Sequence, residues 1–417
     1  MERTIFLVDG QSFYASAEKA ARPDLRDQPV AVGDPERKGG IILAACPIAK
    51  SRGVTTASRV GEALGKCPEL VVVRPRMQTY ITLSLFISEI FSSFTDLVEP
   101  YSIDEQFLDV TGSVKYFGSP YEIARQIQER VLLSTGIWSR VGIGPTKILA
   151  KMATDNFAKK RPDGIFELNE DNIATDLWPL PIHQMFMVAN RMTRHFKRMG
   201  INTIGDIARL DFGDFKTLMR RRMGRQSDIQ AGYYWQTARG IDPSPVVTGI
   251  RSQIKNISHG KTLRWRLYTR LPDIEVVLLE LVIEVCQRAR RYGYQGRVVS
   301  VGAGETDGER SGGFGRQLTL PQPTSLTHEV AAAALKLFVT HWSGMPISHL
   351  SVTLSQLSDD NVFQLTLFED RARIYSKERA IDDIKRRFGS TAIMRASSLL
   401  EAAVARERAE QIGGHYK

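Results

Sequence analysis

Glu99-Pro-Tyr-Ser-Ile-Asp-Glu-Gln-Phe-Leu-Asp-Val110, read with Ile5-Phe-Leu-Val-Asp-Gly10, is the stretch from which the rest of the chain is interpreted. Each joins carboxylates to a short, apolar, strand-like run. A buried carboxylate is costly unless it is paired, hydrogen-bonded or bound to a metal. Adjacent Asp104 and Glu105 repel one another unless a cation sits between them. If the two runs pair as strands, Asp9, Asp104 and Glu105 meet at one sheet end. Neighbouring side chains on a regular strand point to opposite faces, so a shared site needs Asp104 and Glu105 at the turn. Three oxygen donors in one place suit hard Mg²⁺ ions, which take further ligands from substrate phosphates. That is the plan of a two-metal phosphoryl-transfer site. Taken singly the pieces are ordinary: a strand-closing Asp is commonly a turn residue or a helix cap.

Composition points the same way. A chain of 417 residues exceeds one core and is expected to hold roughly three or four units. Lys and Arg number 56 against 46 Asp and Glu, a formal charge of +10 and a pI near 9.5. Such a balance favours a polyanionic partner, most simply nucleic acid. Cys46, Cys67 and Cys286 have neither metal-ligand spacing nor an even framework of bridges, which fits a reducing cytosol. No basic and apolar leader precedes the first strand, and no apolar run approaches the ~20 residues of a membrane span. The expectation is a soluble, cytoplasmic protein without a membrane partner.

Along the chain, residues 3–9 read as a buried strand, and a helix follows from Ser12, its N-cap, to Ala20. Residues 22–76 mix short apolar runs (30–32, 41–43, 71–73) with basic, Gly-rich connections. A helix near 77–94 leads to the carboxylate hairpin at 97–110, then come a helix over 120–135 and a strand over 140–144. Pro145 is expected at the first position of a further helix, where its missing N–H costs nothing. Residues 166–240 read as helical and charged, and Asp242-Pro-Ser-Pro-Val246 as a linker. Beyond it the expected order is strand 250–258, helix 273–291, strands 297–304 and 316–320, helix 325–342 and strand 347–355, a βαββαβ unit. The tail reads as polar and largely helical, with helices over 377–388 and 397–411. The fold class is α+β.

Three motifs resemble those of the Y-family translesion DNA polymerases, in the UmuC-like branch of Gram-positive bacteria. They are Val8-Asp-Gly-Gln-Ser-Phe-Tyr-Ala-Ser-Ala-Glu18, Tyr101-Ser-Ile-Asp-Glu105, and Val141-Gly-Ile-Gly-Pro-Thr-Lys147 with Ala150-Lys-Met-Ala153. The resemblance covers nearly the whole chain. It implies a right-hand polymerase with a ferredoxin-like palm (1–10 and 77–165), small fingers (11–76) and a helical, helix-hairpin-helix-like thumb (166–241). A linker (242–249), a little finger (250–357) and a clamp-binding peptide with C-terminal tail (358–417) complete it. It implies that Asp9, Asp104 and Glu105 bind two Mg²⁺ ions, with the Gly10 carbonyl completing a ligand set. Tyr14 matches the steric gate, whose ring leaves no room for a ribose 2′-hydroxyl. Lys151 matches the triphosphate-binding lysine, one turn beyond Lys147.

This chain departs from the family pattern in two places. In the fingers segment Ala44, Pro47 and Lys50 stand where many relatives have threonine, tyrosine and arginine. A bidentate guanidinium thereby becomes a single ammonium, with Lys50 still available to phosphate. In the helix-hairpin-helix turn Phe186-Met-Val-Ala-Asn190, Met187 and Ala189 stand where glycines are usual, leaving Arg191, Arg194, Lys197 and Arg198 to contact DNA. In the little finger Lys255, Lys261, Arg264 and Arg266 flank the first strand, and Arg288, Arg290, Arg291 and Arg297 cluster near the following helix. Basic strands over a duplex fit backbone binding without base readout. Phe363-Gln-Leu-Thr-Leu-Phe368, between acidic flanks, resembles the sliding-clamp-binding peptide, with Gln364, Leu365, Leu367 and Phe368 as anchors.

The resemblance therefore implies a DNA-directed polymerase of damage tolerance, adding deoxynucleotides opposite damaged template. Its implied partners are primer-template DNA, deoxynucleoside triphosphates, the sliding clamp and accessory SOS proteins. A catalytically silent clamp adaptor would lack the metal carboxylates. A nucleotide cyclase on a related palm would explain neither the basic domain nor the clamp peptide.

Overall fold

Ile5–Gly10 forms β1, and an Ile-Phe-Leu-Val run buried on both faces suits a central strand. The chain continues through α1 (Phe13–Ala21), β2 (Val30–Val32), β3 (Ala44–Ala45), α2 (Pro47–Ser51), α3 (Val60–Lys66) and β4 (Val71–Val73). Next come α4 (Met77–Ser92), β5 (Val98–Pro100), β6 (Glu105–Asp109), α5 (Val114–Phe117), α6 (Pro120–Thr135), β7 (Ser139–Gly144), α7 (Lys147–Asn156) and β8 (Ile165–Glu167). A helical stretch holds α8 (Asn190–Arg198), α9 (Ile204–Ala208), α10 (Phe212–Met223) and α11 (Asp228–Ala238). After it lie β9 (Asn256–Thr262), α12 (Leu271–Arg291), β10 (Tyr294–Thr306), β11 (Ser311–Thr324), α13 (Thr327–His341) and β12 (Ile347–Asp359). The tail adds α14 (Arg371–Phe388), α15 (Ala405–Ala409) and the short strands β13 (Gln411–Ile412) and β14 (His415–Tyr416). This is a computed structural model, and it describes residues 3–248, 254–263, 268–361 and 370–416. It divides into two units, Met1–Ile250 and Arg251–Lys417.

In the first unit a five-stranded sheet runs in the order β5-β6-β1-β7-β8, and a small sheet runs β3-β2-β4. Of the short apolar runs, 30–32 and 71–73 form β2 and β4, whereas 41–43 precedes β3, the antiparallel partner of β2. Local signals set several helix ends. Ser119 and Glu122 make a capping box on α6, with Pro120 at its start and Gly136 closing it at φ 70°. Pro145 lies before α7 rather than in it. Thr146 is the cap there, because its hydroxyl accepts the Leu149 amide at 3.2 Å, a bond proline cannot make. Ser12 occupies the cap position of α1 at φ 50° without a side-chain capping bond.

The sheet and α7 approach very closely. A Cβ at Gly142 would lie 2.2 Å from the Ala150 carbonyl oxygen and 2.3 Å from the Thr154 hydroxyl. That hydroxyl donates to the Leu7 carbonyl at 3.1 Å and to the Ala150 carbonyl at 2.9 Å. Within the expected linker (242–249), Val246 and Val247 pack on the first unit. Val246 is 3% exposed among Ile5, Leu7, Phe107 and Ala150, and the Val247 amide donates to Glu99 at 3.0 Å.

The second unit has the expected βαββαβ order, with an antiparallel sheet β11-β10-β12-β9 and its core against α12 and α13. The tail differs from expectation. Its first helix begins earlier, at Arg371, and the helix expected over 397–411 is only a 3₁₀ turn, the five-residue α15 and part of a hairpin. Ala402 and Val404 enter the core, the Tyr268 hydroxyl donates to the Ala402 carbonyl, and Gly413 and Gly414 turn the chain at positive φ. Apolar anchoring and glycine turns override helix propensity here. Among the described residues, no helix is long and apolar enough to cross a membrane.

Gly142→Ala is expected to lower the stability of the first unit by roughly 1–3 kcal/mol or more, because the clash is with backbone. Denaturant unfolding checks this, and an unchanged midpoint would show that α7 lifts freely.

Candidate active site

Antiparallel pairing of β1 with β6 sets Asp9 opposite Glu105, and pairing with β7 sets Asp9 opposite Arg140. The Gly10 amide donates to the Asp104 carbonyl at 2.9 Å, closing the strand end. Ser102 organises the turn before β6: its hydroxyl donates to Asp104 at 2.6 Å and accepts the Glu105 amide at 3.1 Å. Asp104 thus sits in the turn, whereas Glu105 is already the first residue of β6.

Carboxylate oxygens of Asp9, Glu105 and Asp155 lie within 4.8 Å of one another. Asp155 was not expected from the motifs. It lies one helical turn beyond Lys151, and that four-residue spacing, repeated at Lys159, was the available signal. Lys159, on the 3₁₀ turn Ala158–Lys160, donates to Asp9 at 2.8 Å and to Asp155 at 2.8 Å. Lys151 donates to Glu105 at 2.6 Å and to Asp155 at 3.0 Å. Asp9 is only 6% exposed, and burial pushes its carboxyl up to about 7, with Glu105 adding to the effect and Lys159 opposing it. A cluster of hard oxygen donors, one held toward its protonated form by burial, fits a divalent cation.

Beside it opens a cavity of about 530 Å³ whose lining includes Asp9, Tyr14, Lys50, Asp104, Arg140 and Lys159. Lys151 does not line it: 7% exposed, it is committed to Glu105 and Asp155. Lys159 lines the cavity beside Lys50, because the chain turns after α7 and brings it back over the strand end. Lys50 donates to the Ser12 hydroxyl at 3.0 Å. The Tyr14 ring stacks on Tyr80 with centroids 4.4 Å apart, and the Tyr80 hydroxyl donates to Glu18 at 2.8 Å. Arg76 holds Glu18 by two bonds of 3.0 Å, so the cavity wall is braced from behind.

Other expected positions divide. Arg191 and Arg194 are exposed on α8, and the preceding turn places Met187 at φ 64°, a left-handed conformation favouring glycine. Lys255 is exposed. Lys261 shares the inward face of β9 with Ile257 and Leu263 and pairs with Glu407 at 3.0 Å, so it faces the tail. The outward face, Asn256, Ser258, Gly260 and Thr262, is exposed and uncharged. Arg290, expected among basic DNA contacts, is 5% exposed and paired with Glu378 and Asp382. Arg264, Arg266, Gln364, Leu365, Leu367 and Phe368 lie outside the described residues.

Comparison with known proteins places these features in context. Residues 8–155 match the impB/mucB/samB family and residues 254–367 its C-terminal domain. The chain is 53% identical over 418 residues to DNA polymerase IV 2 of Bacillus subtilis (strain 168), covering 100% of this chain and 99% of that one. It is 39% identical to DNA polymerase IV of Pelotomaculum thermopropionicum (strain DSM 13744 / JCM 10971 / SI), covering 98% of each. A solved Y-family DNA polymerase chimera, Dbh-Dpo4(243-245)-Dbh, superposes with a TM-score of 0.70 at 22% identity, covering 85% of this chain and 98% of that one.

A carboxyl raised from 3.8 to about 7 stays protonated in the fold where the unfolded chain has lost its proton. Its contribution to stability is complete below the lower value and lost as pH rises through the higher one. Adding Mg²⁺ at about pH 6.5 should therefore release protons, and the release from this group should fade by about pH 8.5. Calorimetry in buffers of differing ionisation enthalpy measures it, and no release at the lower pH would show Asp9 already ionised.

Proposed function

Because this chain belongs to the impB/mucB/samB family, the Y-family translesion DNA polymerases, we propose that Asp9, Asp104 and Glu105 hold two Mg²⁺ ions for deoxynucleotide addition to a primer 3′-hydroxyl. The protein is a template-directed DNA polymerase of DNA repair, with primer-template DNA and nucleotides as its substrates. The observation that carries the metal assignment is the arrival of both motif strands at one cavity, whose wall holds Asp9 and Asp104 beside Lys50, Arg140 and Lys159.

The residues divide the work. Lys159, Lys50 and Arg140 take the charge of the triphosphate, which orients its reacting phosphorus for in-line displacement. The chemistry supplied by bound ions would be activation of the hydroxyl and neutralisation of the leaving pyrophosphate. Tyr14, held flat on Tyr80, packs under the sugar and excludes a 2′-hydroxyl by contact. The Gly10 carbonyl adds an oxygen donor at the strand end.

The sheet bearing the carboxylates serves as the palm, the three-stranded region as the fingers, the α8–α11 stretch as the thumb, and the β9–β12 unit as the little finger. Exposed Arg191, Arg194 and Lys255 suit DNA backbone contacts. The peptide Phe363–Phe368 is read as a sliding-clamp ligand, on its sequence, and accessory SOS proteins as further partners. Three free, buried cysteines agree with a cytoplasmic location. A silent adaptor is not favoured, since the three motif carboxylates are present.

Primer extension tests the assignment. Asp104→Ala is expected to abolish nucleotide addition while the protein remains folded and DNA-binding; extension at the wild-type rate would overturn the metal assignment. Tyr14→Ala should raise ribonucleotide incorporation by about tenfold or more, for loss of one steric clash, and unchanged sugar selectivity would remove it as the gate. In a clamp-binding assay, Gln364→Ala with Phe368→Ala should lose most of the affinity, and undiminished binding would exclude the peptide.

A further inference from the structure

Three carboxylates and two lysines form a chain of contacts at the strand end. Lys159 bridges Asp9 and Asp155, at 2.8 Å from each, and Lys151 bridges Asp155 and Glu105, at 3.0 and 2.6 Å. Asp155 lies within 3.0 Å of both lysines, whereas Glu105 reaches Lys159 only at 3.9 Å. It belongs to none of the motif positions expected to bind metal, and it lies on α7, facing the ends of β1 and β6. Its side chain is 36% exposed, so it keeps access to solvent while Asp9 is closed off.

Two consequences follow from charge alone. With no divalent ion, the ammonium groups offset the mutual repulsion of Asp9 and Glu105. A divalent ion entering between those carboxylates must displace the lysines from them, and two displaced ammonium groups need another anion. Asp155 is already in contact with both. Lys159 also borders the cavity, so a small movement away from Asp9 carries its charge toward bound phosphate.

We propose that Asp155 is a positioning residue that keeps Lys159 and Lys151 as exchangeable counter-ions of Asp9 and Glu105, handing Lys159 to the nucleotide phosphates as metal enters. This rests on the two-metal reading above. Asp155 thereby couples metal binding to nucleotide binding, and such coupling acts in both directions.

A double-mutant cycle tests it with Mg²⁺ affinity, measured by calorimetry without DNA, as the readout. Asp155→Asn should weaken Mg²⁺ binding by about tenfold, the order expected for charged neighbours in one network. Lys159→Gln should tighten it, because a competitor is gone. In the Lys159→Gln background the Asp155→Asn loss should fall to about a third or less of its single-mutant size. In steady-state extension Asp155→Asn should raise the nucleotide KM more than it lowers kcat, and Asp155→Glu should restore both, which also shows that the site folds.

Equal losses of Mg²⁺ affinity in both backgrounds would overturn the inference, since Asp155 would then act on the ion directly. So would an Asp155→Asn protein with wild-type Mg²⁺ affinity and KM. A wild-type protein that binds no Mg²⁺ would instead bring down the two-metal reading, and this inference with it.

Discussion

The separation between α7 and the sheet beneath it governs this site. Gly142 has no side chain, so the first turns of α7 lie against β7 with the Ala150 carbonyl and the Thr154 hydroxyl filling the space. Thr154 ties the helix to β1 through the Leu7 carbonyl. With the helix so close, charges spaced four residues apart, Lys151 and Asp155, reach the ends of β1 and β6. The turn after α7 then returns Lys159 to the same place. A bulkier residue at 142 would lift the helix and separate the anions from their counter-ions.

That proximity creates an electrostatic balance. Burial alone drives Asp9 toward its neutral form, and the adjacent Glu105 pushes the same way. Lysines restrain both carboxylates without neutralising them permanently, since an ammonium ion is a mobile point charge on a flexible stem. The same logic applies to the cavity wall, where Tyr14 is steadied by Tyr80, Glu18 and Arg76 rather than by its own backbone. A sugar-selecting ring must hold its place against a nucleotide, and a buried, charge-assisted brace supplies that stiffness.

The second unit shows that net charge and available charge differ. Several of its cations are paired inside the fold: Arg290 with Glu378 and Asp382, Lys261 with Glu407, and Arg371 with Glu329. The tail provides most of these anions, so its polar composition serves packing on α12 and β9. The outward face of β9 carries small uncharged groups. Close approach of a backbone is easier over such a face than over long basic side chains.

Local information in the sequence determined the elements that depend on it. The doubly buried run of β1, the helix over 120–135 and the βαββαβ order were legible, as were the carboxylates Asp9, Asp104 and Glu105 at strand ends. Period, caps and turn residues are properties of neighbours in the chain. Tertiary structure alone decided that Asp155 and Lys159 join the carboxylates, that Lys151 turns away from the cavity, and that Lys261 faces the tail. It also decided that 242–247 docks through Val246 and that the tail gives up helix to anchor Ala402 and Val404. Each of these depends on which distant surface a side chain meets. Burial and charge pairing across the chain, rather than propensity along it, select that surface.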